Sequence, residues 1–221
     1  MTAAEVAVFD FDGTLTRGDT LLPFLATVAP ARVTRWAPAA VVGARRRRSE
    51  RDRLKEELLG VVLRDVEPER LVRAGRSFAE GLLLRLLRPD TVAELRAHQA
   101  AGRTTVIASA SPEVVVAPAA EVLGVDLAIA TRLHVRDGRW RYHGPNLRGE
   151  AKLEAVRAVI DPWAPSARWV YGNLPDDGPL LEWADHPTVV RARARIASSQ
   201  CPPTGPPRFR VRRRPRHVGT G

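Results

Sequence analysis

VFDFDGTLT, residues 8–16, joins an apolar run to two carboxylates, Asp10 and Asp12, and then to Gly13-Thr14. Val6 to Phe9 reads as a short strand, apolar at every position, as strands covered on both faces are. Carboxylates at i and i+2 of an extended chain project to the same side. Two of them at one strand end repel each other where water is scarce. A hard divalent cation such as Mg²⁺, which prefers oxygen ligands, relieves that repulsion. The pair also permits a division of labour. One carboxylate can be a nucleophile that forms an aspartyl-phosphate, and the other, its pKa raised by a like charge, can act as acid and base. The structural alternative is a pair of solvated acids, or an Asx turn ahead of Gly13.

Working outward, the pattern from about 19 to 88 is helical only, with Leu54, Leu58, Leu59, Val61 and Val62 at helical spacings and Pro68 as a helix start. Asp90 is expected to cap the next helix. Strand-like segments then alternate with helices: TTVIA at 104–108, a helix from Pro112 to Leu123, a strand from Leu127 to Val135, an Asp137-Gly138 turn, a helix over 149–160, and WVY at 169–171. Strands alternating with helices predict an α/β fold, a Rossmann-like parallel sheet with helices on both faces. The helical block is too long for a loop, so the chain divides into a core of 1–18 and 89–199, an inserted helical subdomain of 19–88, and a Pro- and Arg-rich tail of 200–221 expected to be disordered.

Ligands of open parallel sheets collect at the carboxyl ends of the strands. Four polar clusters fall there: Asp10 to Thr14, Ser109-Ala110-Ser111, Lys152 early in its helix, and Asn173 to Asp177. The Ser109 hydroxyl and nearby backbone N–H groups can hold phosphate oxygens, whereas Ser111-Pro112-Glu113 reads as an ordinary helix cap. Lys152 either neutralises a phosphoryl group beside Asp10 or sits on a solvated helix face. Asn173, Asp176 and Asp177 either complete a Mg²⁺ site or form a turn, which the same residue types favour.

Composition sets bounds. The 221 residues, 44% hydrophobic, suit one domain with an insertion. No segment reaches a membrane span of ~20 apolar residues, and no secretory signal pattern is evident at the N-terminus. The single cysteine, Cys201, fits a reducing, cytoplasmic setting. Of the net charge of +10, six units are arginines of the tail, and four more arginines form the run Arg45 to Arg48. With only two lysines, Lys55 and Lys152, among 35 basic residues, arginine is background here and a lysine is informative.

DFDGT, then SAS after a second strand, then GEAK, then GNLPDD, resembles the haloacid dehalogenase-like phosphohydrolase superfamily. VFDFDGTLT, VIASASPE, ATRLHVRDGR and GPNLRGEAK further resemble its phosphoserine-phosphatase-like group, which includes phosphatidylglycerophosphate phosphatases and many bacterial members. The resemblance implies that the insert is a C1-type cap and the activity that of a Mg²⁺-dependent phosphomonoester phosphatase. It makes Asp10 the nucleophile and a Mg²⁺ ligand, and Asp12 the acid/base and a second ligand. Gly13, Thr14, Ser109 and Ala110 hold phosphate, Lys152 balances its charge, and Asn173 and Asp177 belong to the metal set, Asp177 as support. The family's usual GDSxxD is GNLPDD here. Asn173 keeps a hard oxygen but removes a negative charge, and a charge contact near a surface is worth about 4 kcal/mol at an effective dielectric of about 20. Asp176 is a candidate to compensate. A phosphotransferase using the same nucleophile, or a weakened phospholigand-binding protein, are the competing readings.

Residues 21–44 are strongly apolar and run into Arg45 to Arg48. They read either as a weak anchor to an anionic membrane surface or as helices packed on the core, with Pro23, Pro30 and Pro38 arguing against one long amphipathic helix. Arg53 and Lys55 either meet an anionic part of the substrate or face solvent. The tail has a single aromatic, Phe209, hence no stacking ladder and no specific nucleic-acid partner.

Overall fold

The computed structural model of the chain describes residues 5–43 and 48–191, so most of the arginine run, 45–47, and the tail, 200–221, lie outside the described residues. Strand β1 (Glu5–Asp10) is followed by one tight turn, Phe11–Leu15, and then by helices α1 (Leu21–Val28), α2 (Pro30–Gly43), α3 (Arg48–Val62), α4 (Pro68–Glu80) and α5 (Leu82–Leu86). The chain continues through α6 (Pro89–Ala100), β2 (Thr104–Pro112), α7 (Glu113–Val122), β3 (Leu127–Thr131), β4 (Leu133–Arg136), β5 (Arg139–Tyr142), α8 (Glu150–Ile160), β6 (Ala167–Gly172), α9 (Gly178–Trp183) and β7 (His186–Val189).

Five strands form one parallel sheet in the order β3-β2-β1-β6-β7, the expected α/β arrangement with β1 at its centre. The alternation of a strand explains why β1 is apolar throughout. Ala7 and Phe9 enter one core with Leu95 of α6 and Val115, Val116 and Ala119 of α7. Val6 and Val8 enter a second core with Val156 and Ile160 of α8 and Leu180 and Leu181 of α9. Asp10 shares the parity of Val6 and Val8, so its carboxyl projects toward the α8 face.

Helices α1–α5 form the inserted block. Leu21, Phe24, Leu25 and Val28, spaced i, i+3, i+4, i+7, give α1 a single apolar face, and that face is buried in the core. The apolar 21–28 segment is therefore a packed helix. Proline separates α1 from α2, because Pro30 is preorganised for the first position of the new helix. The block leaves and rejoins the core through paired backbone: Arg17 N donates to Leu86 O at 2.8 Å and Arg88 N to Leu15 O at 2.9 Å. Helix α4 lies so close to α7 that a Cβ on Gly75 would stand 2.0 Å from Val114 O.

Two local expectations differ from the structure. The segment 127–135 is two strands. Residues 127–131 pair with β2 in the main sheet, while β4 pairs antiparallel with β5 in a separate hairpin. That hairpin turns at Asp137 (φ 51°) and Gly138 (φ 69°), the two positive φ values of a type I′ turn. It rests on the helical block, with Trp140 Nε1 donating to Val66 O at 2.9 Å. Asp90 does not cap α6. It lies in the first turn, 2.7 Å from Arg88, which holds the N-cap position. Among the described residues, no helix is long and apolar enough to cross a membrane.

Candidate active site

The polar clusters expected at the sheet's carboxyl edge converge there. Lys152, in the first turn of α8, inserts its ammonium between two carboxylates, 2.7 Å from Asp10 Oδ1 and 2.6 Å from Asp177 Oδ1. All three side chains are buried. Asp177 Oδ2 accepts a hydrogen bond from Asn173 N at 2.8 Å, which orders the loop after β6. Asn173 Nδ2 in turn donates to Asp10 Oδ2 at 3.0 Å and to Asp12 O at 2.9 Å, and lies 3.3 Å from Thr14 Oγ1. Gly13 permits this closure. Its φ of +82° belongs to the left-handed region that favours glycine, and a Cβ there would meet Asn173 Nδ2 at 3.2 Å.

Asp12 has different neighbours. The strand ends at Asp10 and the chain turns, so Asp12 does not simply repeat the direction of Asp10 along an extended backbone. Its Oδ1 accepts from Thr20 N and Thr20 Oγ1, both at 2.8 Å, and its Oδ2 accepts from Ser111 Oγ. The role of Ser111 as a helix cap is therefore a correction. Strand β2 continues to Pro112, α7 has no side-chain cap, and the Ser111 hydroxyl serves Asp12. Ser111 N donates to Ser109 Oγ at 3.0 Å, which leaves the buried Ser109 hydroxyl hydrogen to donate elsewhere.

Burial raises both acids, against different opposing partners. Burial pushes Asp10 up to about 6, against the opposing pull of Lys152, because two carboxylates share that one ammonium. Asp12 is also raised, first by burial and then by the charge of Asp19, with its hydroxyl donors pulling the other way. Burial alone would lower Lys152, but Asp10 and Asp177 outweigh it and hold the ammonium above its ordinary range. Asp19 is pushed up by burial, yet Lys55 at 2.8 Å and its other partners bring it below its ordinary value.

Every expected site residue except Thr14 lines one cavity of about 850 Å³ between the sheet edge and the helical block. Thr14 is fully buried behind the wall, its carbonyl accepting from Thr91 Oγ1 at 2.7 Å. Asp176 lines the same cavity and stands 3.7 Å from Arg148. Lys55 lines the cavity paired with Asp19, whereas Arg53 is exposed beside Glu57 at 3.0 Å. Sequence reasoning missed Thr20, Ser111 as a partner of Asp12, and Arg148. Arg148 lines the cavity and lies 3.3 Å from Asp52, but the chain's arginine bias hid it.

The sequence model of haloacid dehalogenase-like hydrolases matches residues 7–182, which hold the whole constellation. The chain belongs to the haloacid dehalogenase-like hydrolase family. Protein CicA of Caulobacter vibrioides is 37% identical to it over 187 residues, 81% of this chain and 83% of CicA. Among solved structures, a Bordetella pertussis protein of unknown function superposes with a TM-score of 0.70 at 25% identity, covering 85% of this chain and 90% of that one. A substrate-bound phosphoserine phosphatase shares the fold, with a TM-score of 0.60 at 20% identity and coverage of 83% and 84%.

The residues of this hydrolase fit a hard divalent cation. Asp10 Oδ2 and Asp12 O converge on one point, the point that Asn173 Nδ2 bridges, and rotating that amide by 180° presents Oδ1 there instead. Asp10, Asp12 and Asp177 against Lys152 leave an excess of negative charge. Asp177 engages one oxygen with Lys152 and the other with Asn173 N. Among the described residues no group of three or more His, Cys, Asp or Glu side chains forms a ready metal cluster. The seat is thus a mixed one of carboxylate, carbonyl and amide, suited to a cation that keeps several waters, as Mg²⁺ does.

Lys152→Met would leave Asp10 and Asp177 buried without a counter-charge, at a cost of about 3–5 kcal/mol near pH 8. Asp10, already raised by burial, would then lose the opposing pull of Lys152 and bind its proton more tightly folded than unfolded, so the variant's stability falls as pH rises and recovers as pH drops. Unfolding midpoints from pH 8 to pH 5 should show the gap to wild type narrowing toward acid. A constant gap would mean that Lys152 contributes packing alone.

Proposed function

We propose that this hydrolase is a Mg²⁺-dependent phosphomonoester phosphatase that works through an aspartyl-phosphate on Asp10. The observation that carries the reading is the unequal treatment of two acids on one cavity. Asp10 faces the Lys152 ammonium, while Asp12 meets no cation among the described residues and is held by the Thr20 and Ser111 hydroxyls. Pairs of titratable groups with contrasting surroundings are how acid and nucleophile are told apart.

Asp10, oriented by Lys152 and Asn173, attacks phosphorus in line. The bond from phosphorus to the ester oxygen breaks, and Asp12 gives its proton to the leaving alkoxide. Asp12 then takes a proton from a water that attacks phosphorus. The bond to Asp10 breaks, releasing inorganic phosphate and restoring both carboxylates to their starting states. Lys152, the Ser109 hydroxyl and the backbone of Gly13 and Ala110 hold the phosphoryl oxygens, so catalysis is chiefly positioning and charge stabilisation. Mg²⁺, held by Asp10, Asp12 O and Asn173 Oδ1, would supply charge neutralisation at those oxygens. The helical block 19–88 would act as a cap that excludes bulk water, and the expected setting is cytoplasmic.

Phosphate release from p-nitrophenyl phosphate should require Mg²⁺, cease in EDTA and fall at least 1,000-fold in Asp10→Asn, on the order of the loss when a nucleophile is removed. Release that Asp10→Asn leaves intact would overturn the assignment. Asn173→Asp replaces the 3.0 Å amide contact to Asp10 with a like charge. Its melting temperature should drop below wild type without metal and rise further than wild type on adding Mg²⁺. An equal Mg²⁺ response in both proteins would remove position 173 from the cation seat.

A further inference from the structure

Outside its catalytic floor, the cavity has an unusual lining. Leu22 of α1, Trp36 of α2, and Leu54 and Leu58 of α3 form one wall, and Leu174 and Val189 form another beside the sheet edge. Leu22 is 37% exposed, Leu174 59% and Val189 45%, so large apolar side chains stand open around a space that also holds a buried ammonium and five aspartates. Contiguous exposed apolar surface beside convergent polar groups marks a place that an apolar body covers. Asp19, Lys55, Arg148 and Asp176 in the wall stand in ion pairs, although Arg148 Nη1 is buried without a hydrogen bond and Arg191 also lines the space. Asp19 pairs with Lys55 at 2.8 Å, and Arg148 lies between Asp52 at 3.3 Å and Asp176 at 3.7 Å. A zwitterionic or polyhydroxylated body would have to break these pairs or leave its own polar groups facing leucine, and unmade polar contacts are costly. At about 850 Å³ the space lies toward the upper end of small-molecule sites, roughly 300–1,000 Å³, and a phosphate alone leaves most of it empty.

We infer that this site selects phosphomonoesters whose alcohol carries an apolar body, a chain or ring several carbons long, over amino-acid and sugar phosphates. The inference rests on the phosphatase reading. The polar floor handles the phosphoryl group, which all such substrates share, and the leucine and tryptophan walls reward carbon beyond it. Each buried methylene is worth about 0.8 kcal/mol, or close to a fourfold gain.

The test is kcat/KM for ethyl, butyl, hexyl and octyl phosphate, each below its micelle concentration, beside phosphoserine and glucose 6-phosphate. Between ethyl and octyl phosphate the value should climb by at least 100-fold, with phosphoserine and the sugar phosphate near the ethyl end. Leu54→Gln and Leu174→Gln, made separately, should each cut the octyl-to-ethyl ratio by about tenfold. Asp10-dependent turnover that is flat along the series, or fastest for phosphoserine, overturns the inference while leaving the phosphatase reading standing. Should no ester be hydrolysed, calorimetric binding of ethylphosphonate and octylphosphonate still decides the matter. Tighter octyl binding supports the apolar wall, and equal or absent binding overturns it. Phosphatidic acid in phosphatidylcholine vesicles separates two sources of the apolar body. Release from soluble octyl phosphate alone assigns a free amphiphile, and release from both assigns a bilayer lipid as well.

Discussion

The buried contact of Lys152 with Asp10 and Asp177 is the constraint on which the rest of the site depends. It ties three segments far apart in sequence: the end of β1, the first turn of α8 and the loop after β6. Burying an ammonium and two carboxylates is a poor way to gain stability, because desolvation offsets most of the attraction. Removing one member, however, strands the others. Once Lys152 fixes Asp177, Asp177 fixes Asn173 N, and the Asn173 side chain returns to Asp10 and to the carbonyl of Asp12. The site is a closed polar ring at the sheet's edge, and a change at any one position is felt at Asp10.

That ring divides the cavity by chemistry. Its floor is built from strand ends and loops of the parallel sheet together with the first turn of α8, which supplies Lys152. Its roof comes from α1, α2 and α3, whose inner faces are apolar because those same helices must also pack on the core. Asp12 sits at the join. Its carboxylate is oriented by Thr20, just before α1, and by Ser111, at the end of β2. A shift of the helical block relative to the sheet therefore acts on the Asp12 carboxylate through Thr20, while Asp10 stays anchored to α8.

How much of this was legible in the sequence depended on whether the deciding partner was near or far along the chain. The apolar run before Asp10 identified a strand buried on both faces, since no other role suits four consecutive apolar residues ending in acids. Asp137-Gly138 announced its hairpin because a two-residue turn is a local object. The motif residues Asp10, Ser109, Lys152 and Asn173 could be placed at one edge because topology alone brings strand ends together. Ser111 could not be read correctly. Ser-Pro-Glu has the local chemistry of a helix cap, and its true partner, Asp12, is 99 residues away. Residues 127–135 look like one strand because propensity does not reveal that two different sheets claim its halves. Thr20 carried no signal at all, and Arg148 was one arginine among 33.

The most direct measurement is acid quench of the enzyme during turnover of p-nitrophenyl [³²P]phosphate, followed by digestion and peptide sequencing. The expected result is a label that forms within the first turnover, is released by hydroxylamine as acyl phosphates are, and maps to the peptide containing Asp10. Turnover with no protein-bound label at any quench time, or a label carried by a different residue, would contradict Asp10 as the nucleophile held in place by Lys152.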